Sequence, residues 1–90
     1  MNNSITLTET KLTKNPHTKT TYIEQSKEVK EITEREHGLL TSDDTCKWFR
    51  RLGGVESKQM AYTKHGYLCN KLVSTSPDKK SKTVREFQFK

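Results

Sequence analysis

The start of the chain alternates apolar and polar residues in a pattern that predicts a β-hairpin. Over residues 4–13, isoleucine and leucine alternate with threonine, and this period of two is typical of a half-buried strand. Asn15-Pro16 predicts the turn that follows, because proline fixes its own φ and keeps its predecessor out of the α region. Residues 18–26 are expected to return as the second strand.

The segment 27–37 is compatible with two kinds of element. Two Lys–Glu pairs have the i,i+4 spacing of a helix, and Gly38 would end such a helix. However, Val29 and Ile32 are the only apolar residues of the segment, and so narrow an apolar stripe is unfavourable for a packed helix. We favour an extension of the second strand and keep a helix as the alternative.

A short α-helix over about residues 42–52 is the clearest element of the sequence. Asp43 and Asp44 fall in its first turn, where the helix dipole favours anions, so we interpret them as capping residues rather than a paired acid and base. Two arginines fall in the last turn, where the dipole favours cations, and Gly53-Gly54 is a typical helix end.

The apolar side of this helix is expected to pack on the rest of the protein. That side carries Trp48, Phe49 and Leu52. The solvent side would carry Lys47, Arg50 and Arg51. A chain with few large apolar residues needs its aromatic side chains in the core, and we expect Phe87 and Tyr67 there as well.

Three further strands are predicted after the helix. They cover residues 56–63, 67–75 and 82–89, and are joined by turns at 64–66 and 76–81. Strict alternation in the middle strand places Cys69 and Leu72 on opposite faces. The fold class is therefore α+β: about five antiparallel strands in the order ββ-α-βββ, packed on one short helix.

Length and composition predict one small domain over residues 1–90, with residues 1–3 and 90 frayed. Leu, Ile, Val and Phe total seventeen residues, so the chain forms a compact core with polar flanks or shares its core as a homodimer. The sequence has no apolar run of about eighteen residues that would span a membrane, and residues 1–20 lack the apolar stretch of a signal peptide. Two distant cysteines fit a reducing compartment, and we expect a cytoplasmic protein.

Charge divides the chain into two unlike halves. Residues 1–45 hold six Lys and Arg against eight Asp and Glu, a net charge of −2. The basic half, residues 46–90, holds eleven against three, a net charge of +8, and also six of the seven aromatic residues. Confined cationic charge repels itself and usually marks the place where an anionic partner binds.

Cations interleaved with aromatics favour a nucleic acid as this partner, with RNA or single strands preferred over duplex DNA. Base-specific recognition of duplex DNA is disfavoured because the predicted helix is assigned to the core and has no second helix with which to form a helix-turn-helix motif. The expected phosphate contacts are Arg50, Arg51, Lys64, Lys71, Lys79, Lys80, Lys82 and Arg85. The expected base-stacking residues are Tyr62 and Phe89.

Other chemistries have weaker support in the sequence. Cys46, His65 and Cys69 have acceptable spacing for metal ligands, but a structural zinc site needs a fourth ligand and none lies nearby. Gly53-Gly54 lacks the flanking residues of a nucleotide-binding loop. A single histidine beside lysines is a poor basis for a nuclease. We therefore expect no metal, no cofactor and no enzymatic activity.

Three segments carry a resemblance to a known group of proteins. They are residues 44–54 (DTCKWFRRLGG), 74–78 (STSPD) and 85–87 (REF). In these segments and in its Lys- and Thr-rich composition, the chain resembles the small accessory proteins of tailed bacteriophages. The resemblance implies interference with host machinery or defence, including CRISPR effectors, in some cases through RNA binding. It also implies the alternative function, a protein-directed inhibitor whose basic face covers an acidic or nucleic-acid-binding surface of a host protein.

Overall fold

The computed structural model describes residues 4–64 and 66–89, and shows a five-stranded antiparallel sheet with a helical segment between its second and third strands. The elements in chain order are β1 (Ile5–Lys14), β2 (Tyr22–Ile32), α1 (Glu34–Leu40), α2 (Asp43–Arg51), β3 (Val55–Thr63), β4 (Gly66–Thr75) and β5 (Ser81–Phe89). The α+β class and the order ββ-α-βββ are confirmed.

The strand order across the sheet is β2-β1-β5-β4-β3. β1 and β2 form one hairpin, β3, β4 and β5 form a meander, and β5 joins the two units by pairing with β1 from Ile5↔Phe89 to Thr13↔Ser81. This arrangement brings the two ends of the chain into neighbouring central strands. It also places the β1–β2 turn and the β4–β5 turn at the same end of the sheet.

The core lies between the helices and one face of the sheet. Period-two alternation sends Ile5, Leu7 and Phe87 to this face of the central strands, where all three side chains are buried. The full buried cluster is Ile5, Leu7, Ile32, Cys69, Leu72 and Phe87, with Leu40 and Phe89 packed against it. So small a core agrees with the low apolar content of the chain.

Cys69 and Leu72 lie on the same face of β4, which corrects the prediction that they face opposite ways. Both side chains are buried in the one core cluster. The cause is an irregularity in the β3–β4 register: Gln59 pairs with Lys71 and Met60 pairs with Cys69, so Asn70 is an extra residue in β4. An extra residue of this kind reverses the alternation beyond it.

The segment 27–37 contains both of the elements that its sequence allowed. β2 continues to Ile32, as favoured, but residues 34–37 begin a helix. Thr33 caps α1 by accepting from the Glu36 backbone N–H at 3.1 Å, while the Glu36 carboxylate accepts from the Thr33 backbone N–H at 3.4 Å. Gly38 lies inside α1 rather than at its end.

The predicted helix 42–52 is present as α2, but the prediction of its packing side was wrong for two residues. Cys46 is buried and Phe49 is half-buried, whereas Trp48 is 60% exposed and Leu52 is 57% exposed. Cys46 and Phe49 are three residues apart and share one helix face, which leaves Trp48 on the other. Tyr67, also expected in the core, is exposed on β4. Lys47, Arg50 and Arg51 are exposed as predicted.

Among the residues that the structure describes, neither helix has the length and apolar character needed to cross a membrane.

Candidate nucleic-acid interface

Two hydrogen bonds join the β1–β2 turn to the β4–β5 turn. The backbone N–H of Lys14 donates to the Lys80 carbonyl at 2.8 Å. The Tyr22 hydroxyl donates to the Lys79 carbonyl at 2.7 Å. Lysines that are more than sixty positions apart in the sequence are therefore held at one end of the sheet.

The β4–β5 turn has an internal hydrogen-bond network that displays its lysines. The Ser76 hydroxyl donates to the Asp78 carboxylate at 2.6 Å, and the Lys80 backbone N–H donates to the same carboxylate at 2.9 Å. Lys79 adopts a left-handed conformation with φ of 60°. The carboxylate thus organises the tip of the turn while the neighbouring lysine side chains remain exposed.

The β1–β2 turn is built in a similar way. The Asn15 side-chain oxygen accepts from the His17 backbone N–H at 2.9 Å, and the Asn15 carbonyl accepts from the Lys19 backbone N–H at 2.9 Å. Lys19 has a positive φ of 58°. A cleft of about 450 Å³ lies between the two turns. Its lining residues are Thr13, Lys14, Asn15, Pro16, Lys19, Asp78 and Lys80.

Lys82, the second residue of β5, completes this group. Its ammonium lies 4.5 Å from the centroid of the Tyr22 ring, a cation–π contact that ties the lysine to the opposite hairpin. We call the five lysines of this region the basic end: Lys14, Lys19, Lys79, Lys80 and Lys82.

The basic end contains three of the eight cations predicted as phosphate contacts: Lys79, Lys80 and Lys82. Arg50 and Arg51 are the last two residues of α2, and Gly53, two residues further on, lies beside the β4–β5 turn, where an added Cβ would be 3.6 Å from Pro77. Sequence reasoning missed Lys14 and Lys19, which belong to the acidic half. The available signal was their position on either side of the predicted Asn15-Pro16 turn.

Two other predicted cations lie opposite carboxylates on neighbouring strands. Arg85 Nε lies 3.0 Å from a Glu9 carboxylate oxygen, and both side chains are partly buried. Lys71 pairs in register with Glu86 and is half-buried. Each of these cations therefore has a carboxylate on the neighbouring strand that would compete with a phosphate.

The remaining predicted residues, Tyr62, Lys64 and Phe89, lie at the end of the sheet opposite the basic end. They line a second cleft of about 490 Å³. Tyr62 is 86% exposed and its ring centroid is 4.6 Å from that of Tyr67. Phe89 is half-buried, with its ring edge-on to His37 at 5.2 Å.

The two cysteines are buried free thiols. Burial raises the pKa of Cys46, with a further contribution from the Glu56 carboxylate, and burial also raises the pKa of Cys69. A raised pKa keeps a thiol protonated, which is unfavourable for a nucleophile or a metal ligand. Within residues 4–64 and 66–89, no three His, Cys, Asp or Glu side chains come together as metal ligands would. His65, the third predicted candidate ligand, lies outside the described residues.

The Asp78 carboxylate is the acidic group inside the cleft of the basic end. Hydrogen bonds from the Ser76 hydroxyl and the Lys80 N–H, together with the Lys80 charge, hold the pKa of Asp78 below its ordinary value. The ionised form is therefore favoured in the folded state. Its contribution to stability is present above the pKa of the unfolded chain and is lost as the pH falls through the lower folded pKa.

Asp78→Asn should strengthen the binding of an anionic ligand at the basic end. The substitution removes one negative charge beside Lys80 and keeps a side-chain oxygen that can accept from the Lys80 N–H. We expect the affinity for single-stranded RNA to rise about threefold, which is the scale of one phosphate contact. Fluorescence anisotropy measures this change. Glu28→Gln, on the exposed middle of β2, makes the same charge change elsewhere and should have a smaller effect; equal effects would contradict a local role for Asp78.

Comparison with known proteins gives no family assignment. No protein-family model matches the chain, and no curated protein or solved structure matches it significantly.

Proposed function

We propose that this protein binds nucleic acid, with single-stranded RNA preferred, through the basic end. The observation that carries the proposal is the joining of two distant turns by the Lys14–Lys80 and Tyr22–Lys79 hydrogen bonds. These contacts hold like charges together, although the charges repel one another. Such an arrangement is favourable when an anionic chain neutralises it.

The geometry of the helices supports a single strand over base-specific reading of duplex DNA. In a helix-turn-helix protein, the N-terminal residues of the second helix contact base edges in the major groove. Here the corresponding helix, α2, begins with Asp43 and Asp44, whose carboxylates would repel the phosphates on either side of the groove. Its inner side packs against the rest of the protein through Cys46. The cations of the basic end lie instead on two turns and on the strand ends beside them, where they can contact successive phosphates of a flexible single strand.

The proposed binding is non-enzymatic and takes place in the cytoplasm, the host cytoplasm if the chain is phage-encoded. Together with the resemblance to phage accessory proteins, it suggests a modulator of a host or defence system. The proposal rests on the charge and geometry of the basic end, and the resemblance adds only the setting.

The test is fluorescence anisotropy with single-stranded RNA, duplex RNA and duplex DNA, each titrated across a range of salt concentration. We expect sub-micromolar affinity for single-stranded RNA and weaker binding of the two duplexes. If all five lysines contact phosphates, the slope of log K against log salt should be about −3.5. Equal, weak binding of all three nucleic acids that disappears near physiological salt would contradict the proposal.

That contrary result would favour a second function, inhibition of a host protein. The observation behind it is the exposure of large apolar side chains on the helices. Trp48, Leu52 and Leu39 are all more than half exposed, and tryptophan is enriched at the energetic centres of protein interfaces. The basic end would then steer the protein toward an acidic surface. Recovery of one specific host polypeptide, without nucleic acid, on purified protein would identify this alternative.

A further inference from the structure

The sheet divides at the end opposite the basic end. β4 and β5 pair only over residues 71–75 and 82–86. Beyond this point, among the described residues, the register assigns 66–69 of β4 to β3 alone and 87–89 of β5 to β1 alone. The two strands therefore separate and leave the cleft of about 490 Å³, which we call the split cleft.

Aromatic side chains form part of the lining of the split cleft. Phe89 packs on the core and is held by the edge-on contact of its ring with His37. Tyr62, in contrast, exposes most of its ring and has Tyr67 as its aromatic neighbour. An exposed ring beside an anchored one provides the kind of surface on which an unpaired base stacks.

The split cleft also contains a polar group that lacks a partner. The side-chain oxygen of Asn70 is buried and accepts no hydrogen bond from the described part of the chain. Asn70 is the extra residue of the β3–β4 register, so this irregularity carries an amide into the lining of the cleft. Buried acceptors are nearly always satisfied in folded proteins, and a ligand that donates a hydrogen bond would remove the cost of this exception.

We infer that the split cleft binds one unpaired, amino-bearing base of the RNA that we propose as the ligand; this inference rests on the proposed function. The base stacks against Tyr62. The Asn70 side chain turns its buried oxygen toward the cleft, and the exocyclic amino group of the base donates to it. Lys64, which also lines the cleft, contacts the adjoining phosphate. Adenine has such an amino group and uracil does not, so adenine is preferred over uracil.

The separation of the two sites makes their contributions distinguishable. The basic end supplies five lysines and therefore most of the dependence on salt. The split cleft adds one lysine, Lys64, and its stacking and hydrogen bond control the choice of base. A change at Tyr62 or Asn70 should therefore alter affinity or base preference without altering the salt slope.

The experiment compares oligoadenylate and oligouridylate in anisotropy titrations with three variants. Tyr62→Ala should weaken oligoadenylate binding about tenfold with an unchanged salt slope, because the loss of one stacking residue has this magnitude. Tyr62→Phe keeps the ring and should retain the affinity. Asn70→Ala should remove the preference for oligoadenylate over oligouridylate. Because Tyr62 is exposed, its replacement leaves the core in place.

A titration with adenosine monophosphate, monitored by NMR, tests base binding in the split cleft with a ligand too short to reach both sites at once. Shifts of the Asn70 side-chain amide and of Phe89, larger than those caused by uridine monophosphate, are the expected result. If the wild-type protein binds neither oligonucleotide, the proposed function fails. If RNA binds but Tyr62→Ala and the change of base have no effect, or if the nucleotide shifts only residues of the basic end, the inference of a base site is overturned and the proposed function stands.

Discussion

Replacement of Lys14, Lys19, Lys79 and Lys80 by glutamine should weaken single-stranded RNA binding about ten- to hundredfold at 0.15 M salt. Each phosphate contact releases counterions, and the loss of four contacts should reduce the salt slope by about 2 to 3. Fluorescence anisotropy across a range of salt gives both quantities. The fold should persist, because these four residues enter the turn network through backbone atoms.

A matched variant distinguishes the effect of losing the basic end from the effect of lowering the net charge. Lys27, Lys30, Arg35 and Lys47 are all exposed and lie outside the basic end. Their replacement by glutamine removes the same four charges and should leave most of the affinity and the salt slope intact. Equal losses in the two variants would show that only net charge attracts the RNA, and would contradict a defined interface.

Gly54→Ala should be the most damaging single substitution at the junction between α2 and β3. Gly54 is buried, and an added Cβ would overlap the ring of Phe49. Because this ring fills the inner side of α2, the clash must displace either the helix or the start of β3. Overpacking of this kind costs about 1–3 kcal/mol or more, in a chain whose total free energy of unfolding should be roughly 5–13 kcal/mol.

Urea denaturation followed by circular dichroism measures the effect, and Gly38→Ala is the control. Gly38 lies inside α1 with no atom within 4 Å of an added Cβ, so alanine there should stabilise the protein by about 0.5–1 kcal/mol. Phe49→Leu combined with Gly54→Ala should recover part of the loss, because the smaller side chain relieves the overlap. Equal stability of Gly54→Ala and the wild-type protein would show that the junction adjusts freely.

The neighbouring glycine illustrates how much of this junction the sequence could predict. Gly53-Gly54 marks a helix end by composition alone, and α2 ends just before it, at Arg51 with Leu52 as the C-cap. The sequence does not distinguish the two roles: Gly53 provides a positive φ of 89°, while Gly54 provides space for a ring. Only the position of Phe49 in three dimensions separates them.

The sequence alone determined the features that depend on neighbouring residues. The alternation of threonine with isoleucine and leucine predicted β1. The two aspartates and two arginines predicted the ends of α2, and the turn residues predicted the limits of β4 and β5. Local propensity and the helix dipole act over a few residues, so these elements could be predicted from a short stretch of chain.

The tertiary structure decided the features that depend on distant residues. Asn70 shifts the β3–β4 register and moves Leu72 to the core face, and the pairing of β1 with β5 brings Lys14 and Lys19 to the lysines of the β4–β5 turn. The inner side of α2 buries Cys46 and partly buries Phe49, but Trp48 remains exposed. Register, strand order and the extent of the core are set by packing across the whole sheet, and no local pattern contains that information.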